Sequence, residues 1–269
     1  MRTSSNPAFR NLPGGQGRGH ATFDRQGGAM GGSAAYADAQ ASQVGFGRAG
    51  AGERALTIDD VVTKTAISAG AALAAGVVTA VMGLGWLVLP AFIVGLIVSL
   101  VLIFKPNLAK APLVLTYSIA MGVALGGITQ VFESIYPGIA TQAIIGTAGV
   151  FVGMLVVYKT GAVKVTPRFT KWLMGALIGV TVLMLANLVA GLFGVNLGLR
   201  DGSWLAILFS IVVIGVAAFS LLLDFDQADQ AIREGAPAQL AWYIAFGLMT
   251  TLVWLYIEIL RLLSYLRQE

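Results

Sequence analysis

From Leu56 onward the chain alternates long apolar runs with short polar breaks, and the runs have the length of membrane spans. About 20 apolar residues in a helix cross about 30 Å of hydrocarbon. The pattern predicts seven such helices: Lys64 to Leu84, Trp86 to Phe104, Leu113 to Val131, Ile139 to Tyr158, Lys171 to Phe193, Trp204 to Leu223 and Trp242 to Leu266. The breaks read "GLG", "KPNLAKAP", "ESIYPG", "KTGAVKVTPRFT", "GVNLGLRDGS" and "DFDQADQAIREGAPAQ". The first is so short that the first two spans are expected to form a tight hairpin or to be partly re-entrant. Within hydrocarbon every backbone N–H and C=O must be bonded inside its own segment, so helix is the default; the alternating ten-residue strands of a barrel are missing. "LTIDDVV" has the form of a helix start, with Thr57 as N-cap and Asp60 three positions on.

Residues 1–55 show no such pattern. They are rich in Gly, Ala, Ser and Gln, which predicts a disordered cytoplasmic tail, followed by a transmembrane domain over 56–269. No apolar core follows Arg2, so a secretory signal is not expected there.

Composition sharpens this picture. Of the 269 residues 57% are hydrophobic and 11% charged, and the mean hydropathy is +0.81, far more apolar than soluble domains. An all-α integral membrane protein is expected. With no cysteine there is no disulfide and no thiolate chemistry. The one histidine, His20, falls in the Gly-rich tail, which rules out an imidazole metal site or a histidine-based triad within the spans. No cofactor is expected.

The pI near 9.5 does not point to nucleic acid, because the basic residues are scattered rather than gathered on one face. Their distribution encodes orientation instead. Arg2, Arg10, Arg18, Arg25, Arg48 and Arg54 precede the first span, Lys105 and Lys110 lie in the second-to-third loop, and Lys159, Lys164 and Arg168 in the fourth-to-fifth. The alternate loops hold only Arg200. By the positive-inside rule the N-terminus is cytoplasmic and the C-terminus outside.

Small residues recur four apart as Gly122/Gly126, Gly149/Gly153 and Gly175/Gly179. Such faces let backbones approach, and packing within the bundle is the leading expectation, with oligomer contacts or a hinge as alternatives. Pro90, inside the second span, is expected to kink it.

One carboxylate lies deep in an apolar run: Glu258, slightly past the middle of the last span. An ionised acid there costs about 2.5–3.5 kcal/mol on insertion scales. Gly247, Thr251, Trp254, Glu258, Arg261 and Tyr265 recur at intervals of three and four, which places them on one stripe facing protein or water. Two readings follow. Glu258 forms an ion pair with Arg261 one turn on, or it lines an ion or proton pathway. A second acidic group, Asp224, Asp226 and Asp229, ends the sixth span. It is either a solvated helix end or a site needing a cation or proton, because acids oppose the macrodipole there.

At these residues the chain resembles the Bax inhibitor-1 family, in its bacterial YccA-like branch. The resemblance runs from about Leu56 to Leu266 and rests on seven short-looped spans, an aromatic-Asp pair ending the sixth ("FDQ", Phe225 and Asp226) and "LYIE" in the seventh. It implies six helices arranged around a central seventh in a plasma membrane, forming a pH-sensitive calcium leak and no enzyme. It also implies a proton-sharing pair of carboxylates, one from the sixth helix and one from the seventh. By position these are Asp226, or Asp224 if the register slips, and Glu258. Asp226 and Glu258 are then also the ligands of a weak calcium site, which suits passage because calcium prefers six to eight oxygens. The chain departs from relatives in carrying Glu on the seventh helix, where Asp is usual, and in a longer sixth-to-seventh connection. With the turn at "EGAP", Asp226 and Glu258 are offset by roughly 15 Å at 1.5 Å per residue. They are then expected to line one vestibule at two depths.

Calcium flux rising with pH is the expected behaviour of such a leak. The rival from another class is a non-transporting regulator that binds a second membrane protein, such as a membrane protease. Retinal and intramembrane serine protease chemistry both fail, for want of a last-helix lysine and of a helix-borne histidine.

Overall fold

A computed structural model describes residue 49, residues 53–195 and residues 197–268. The tail expected over residues 1–55, with His20, lies outside them apart from 49 and 53–55. Among the described residues there are seven long α-helices and no strand: α1 (Ile58–Met82), α2 (Val88–Phe104), α3 (Ala111–Ile135), α4 (Ile139–Thr160), α5 (Pro167–Leu192), α6 (Trp204–Arg233) and α7 (Leu240–Leu266). Each is long and apolar enough to cross a membrane, counting the short 3₁₀ turn Gly85–Leu87 with α2. All seven expected spans are present.

Local chemistry sets the ends. Thr57 closes the expected capping box, its Oγ1 accepting from the Asp60 N–H at 3.3 Å while Asp60 Oδ2 accepts from the Thr57 N–H at 3.1 Å. Gly83 ends α1 in the left-handed region at φ 69°, where a side chain would be strained. Thr166 and Ser203 cap α5 and α6.

Two expectations about α2 change. Although α1 and α2 are joined by a short turn, both pack against α3, and α2 with its 3₁₀ turn spans 20 residues, long enough to cross fully. Pro90 does not kink it, because it occupies the first helical turn, where a missing N–H breaks no intrahelical bond.

The last helix is packed by α6, α1, α4 and α3, whereas α5 packs chiefly on α6. Two hydroxyl pairs tie α7 to α3: Tyr117 to Thr250 at 3.1 Å and Thr129 to Tyr256 at 2.8 Å. At the end where α1 begins, the chain before it pairs with the α6–α7 turn through Leu56 N–H to Ala236 O at 2.7 Å and Ala238 N–H to Arg54 O at 2.9 Å. At the other end Arg267 donates to Pro137 O and Gln142 Oε1, both at 2.9 Å. Both ends of the bundle are thereby laced to α7 or its flanks.

The glycine pairs do not share one role. A Cβ on Gly122 would stand 2.2 Å from the Ala72 carbonyl oxygen, and one on Gly126 2.2 Å from that of Gly76, so α1 and α3 touch backbone to backbone. Nothing lies within 4 Å of a Cβ at Gly149, Gly153, Gly175 or Gly179. The expectation of packing within the bundle is corrected for these four, which lie on exposed faces of α4 and α5.

Candidate functional site

The acids expected to matter occupy separate places. Glu258 is buried, with 2% of its surface exposed. Its Oε1 accepts from Arg261 Nη1 at 2.8 Å, one turn along α7, and from Arg200 Nη2 at 3.5 Å, brought in by the α5–α6 loop. Glu258 Oε2 has no hydrogen-bond partner among the described residues. The pairing with Arg261 is therefore present, and a second guanidinium joins it. Partial burial lowers the Arg200 pKa from its ordinary value, Arg261 acts in the same sense, and Glu258 opposes both.

Asp224 is the α6 acid turned toward α7. Its Oδ2 accepts from the Thr251 hydroxyl at 2.7 Å, and among the described residues no cation contacts it. Asp226 looks instead toward α4, where the Tyr158 hydroxyl approaches at 3.5 Å, and it also accepts from Gln230 at 2.9 Å. Asp229 takes the closer Tyr158 contact at 3.1 Å and pairs with Arg233 one turn on. Helical geometry explains the split: positions two apart point about 200° apart around the axis, so Asp224 and Asp226 cannot face the same neighbour.

Thr251 and Glu258 are seven residues apart on one stripe of α7, about 10 Å along the axis. Asp224 therefore sits roughly two turns from Glu258, and the sixth- and seventh-helix acids do not pair directly. Asp226 and Glu258 do not share a site either. Among the described residues no group of three or more His, Cys, Asp or Glu is placed to hold a metal ion.

The stripe read from sequence holds: Thr251, Glu258 and Tyr265 are buried, with Gly247, Trp254 and Arg261 partly so. What the sequence reading missed was Arg200, noted only as the lone basic residue of its side. An isolated cation at the end of the chain's long spans where the deep acid lies was the available signal.

Seven apolar helices with charged and hydroxyl groups turned inward define an integral membrane protein. The chain belongs to the Bax inhibitor 1 like family, whose sequence model matches residues 6–268. No curated protein matches it.

Proposed function

We propose that the chain is a pH-sensitive calcium leak of the Bax inhibitor-1 type, of the bacterial YccA-like branch, with six helices around α7. In this reading it lies in a bacterial plasma membrane with its N-terminus cytoplasmic, and no reaction is assigned to it. The observation that carries the reading is the Asp224 carboxylate held against α7 by the Thr251 hydroxyl, with no counter-cation among the described residues. A carboxylate removed from water is balanced either by a cation or by a proton. Glu258 has the first, so the proton-exchanging role falls to Asp224.

The two acids then act at two depths. Arg200 and Arg261 both hold Glu258, and with its charge taken up by two guanidiniums the carboxylate offers nothing to a divalent cation and the path stays shut. The 3.5 Å contact of Arg200 is the weaker of the two and the one that yields. Once it opens, ionised Asp224 and Glu258, two turns apart, each offer a carboxylate that with waters and carbonyls makes a weak, separate stopping point for calcium, which suits passage. Calcium flux therefore grows as pH rises and Asp224 loses its proton. Asp226, on the α4 side, has a lesser part.

The test is calcium flux into liposomes across pH. Asp224→Asn is expected to flatten the pH response and Glu258→Gln to reduce calcium entry, while Asp226→Asn keeps the response. Flux indifferent to both Asp224→Asn and Glu258→Gln would falsify the leak; a response lost only with Asp226→Asn would reassign the α6 acid.

A second reading, a non-transporting regulator of another membrane protein such as a membrane protease, draws on the glycines of α4 and α5. Gly149, Gly153, Gly175 and Gly179 leave small-residue faces open, as a partner helix requires. Co-purification of such a partner with ion-tight liposomes would support it.

A further inference from the structure

We propose that the groove between α5 and α7 binds one anionic phospholipid, its acyl chain lying along α5 and its phosphate at Arg200. The groove measures about 470 Å³ and is walled by Val180, Met184 and Leu188 of α5 and by Trp254 of α7, with Arg200 beside them. It exists because α5 packs chiefly on α6 and approaches α7 only through side chains such as Trp254. Val180 to Leu188 is about 12 Å of helix within a membrane span, so the surrounding solvent is hydrocarbon and an acyl chain is the matching occupant.

The charge selects which lipid. Arg200 reaches Glu258 only at 3.5 Å, and the same carboxylate oxygen is already held by Arg261 at 2.8 Å. Its guanidinium has five N–H donors and remains 30% exposed, so most of them are open to a phosphate. The neighbouring Asp201 is engaged at the start of α6, its Oδ1 accepting from the Ser203 N–H at 3.0 Å. Because Glu258 is shared with Arg261 and Asp201 is turned to the Ser203 N–H, the donors that Arg200 keeps free suit an anionic headgroup. None of this requires ion conduction, and the site stands if the chain transports nothing.

Trp254 reports directly on the groove. In a full-length chain with the other four tryptophans changed to phenylalanine, fluorescence is measured in nanodiscs containing phospholipids brominated on the acyl chain. Brominated phosphatidylglycerol is expected to quench Trp254 at about fivefold lower mole fraction than brominated phosphatidylcholine, equivalent to about 1 kcal/mol. Arg200→Gln should abolish the preference and Arg200→Lys retain it. Met184→Phe, which fills the groove and leaves Arg200 intact, should weaken quenching by both lipids. Equal quenching by the two lipids overturns the proposal, as does a preference that survives Arg200→Gln. Quenching unchanged by Met184→Phe overturns it too, and loss of the preference in excess inorganic phosphate would assign Arg200 to a soluble anion instead.

Discussion

Asp224 and Glu258 are both acids held within the helical bundle, facing or lying on α7, yet the chain balances them in opposite ways. Glu258 is sealed from solvent and clamped by guanidiniums from two elements, a short-range pair on its own helix and a long-range one from the α5–α6 loop. Asp224 has a single hydroxyl. The first arrangement fixes a charge in place, because removing a cation from a buried pair leaves the other charge uncompensated. The second leaves a group free to exchange a proton without breaking an ion pair. Two acids on neighbouring helices, about 10 Å apart along the α7 axis, are thus held one by charge and the other by a hydrogen bond.

That contrast is open to direct attack, and the largest effect is expected at the clamp. Arg261→Leu removes the 2.8 Å partner of a buried acid and is expected to destabilise the protein by about 3–5 kcal/mol. Adding Glu258→Leu should restore much of the loss, measured by unfolding in detergent; a single variant as stable as the parent would dissolve the distinction. Next in size is Thr251→Val, which keeps the shape but removes the only donor to Asp224 among the described residues, at a cost of about 1–3 kcal/mol. That penalty should shrink when the same unfolding is run at low pH, where the carboxyl is protonated and needs no donor.

Arg200→Gln should be milder. Its contact is long and partly exposed, so the expected change is within about 1 kcal/mol and smaller still in high salt. A loss as large as that of Arg261→Leu would make Arg200 an equal member of the clamp. The smallest effect belongs to Asp226→Asn, with Tyr158 at 3.5 Å and an amide partner at 2.9 Å: about 0.5 kcal/mol or less in the same assay. A larger loss would move the key α6 acid to the α4 side.

The sequence by itself determined the spans, their order and much of their capping, because hydrocarbon demands long apolar helices and Thr57 needs only Asp60 three residues away. Periodicity likewise put Thr251, Glu258 and Tyr265 on one stripe of α7, since 3.6 residues per turn is a local property. The Glu258–Arg261 pair was equally legible, being one turn apart. Which neighbour each stripe meets was decided by tertiary structure alone. The docking of α6 on α7 chose Asp224 over Asp226, and a loop 58 positions away in sequence carried Arg200 to Glu258. Gly122 and Gly126 became a backbone contact with α1 while the matching pairs on α4 and α5 stayed open. The reason is common to all three: a helix's own sequence orders its faces, but the partner of each face is set by how the other six helices share the remaining surface.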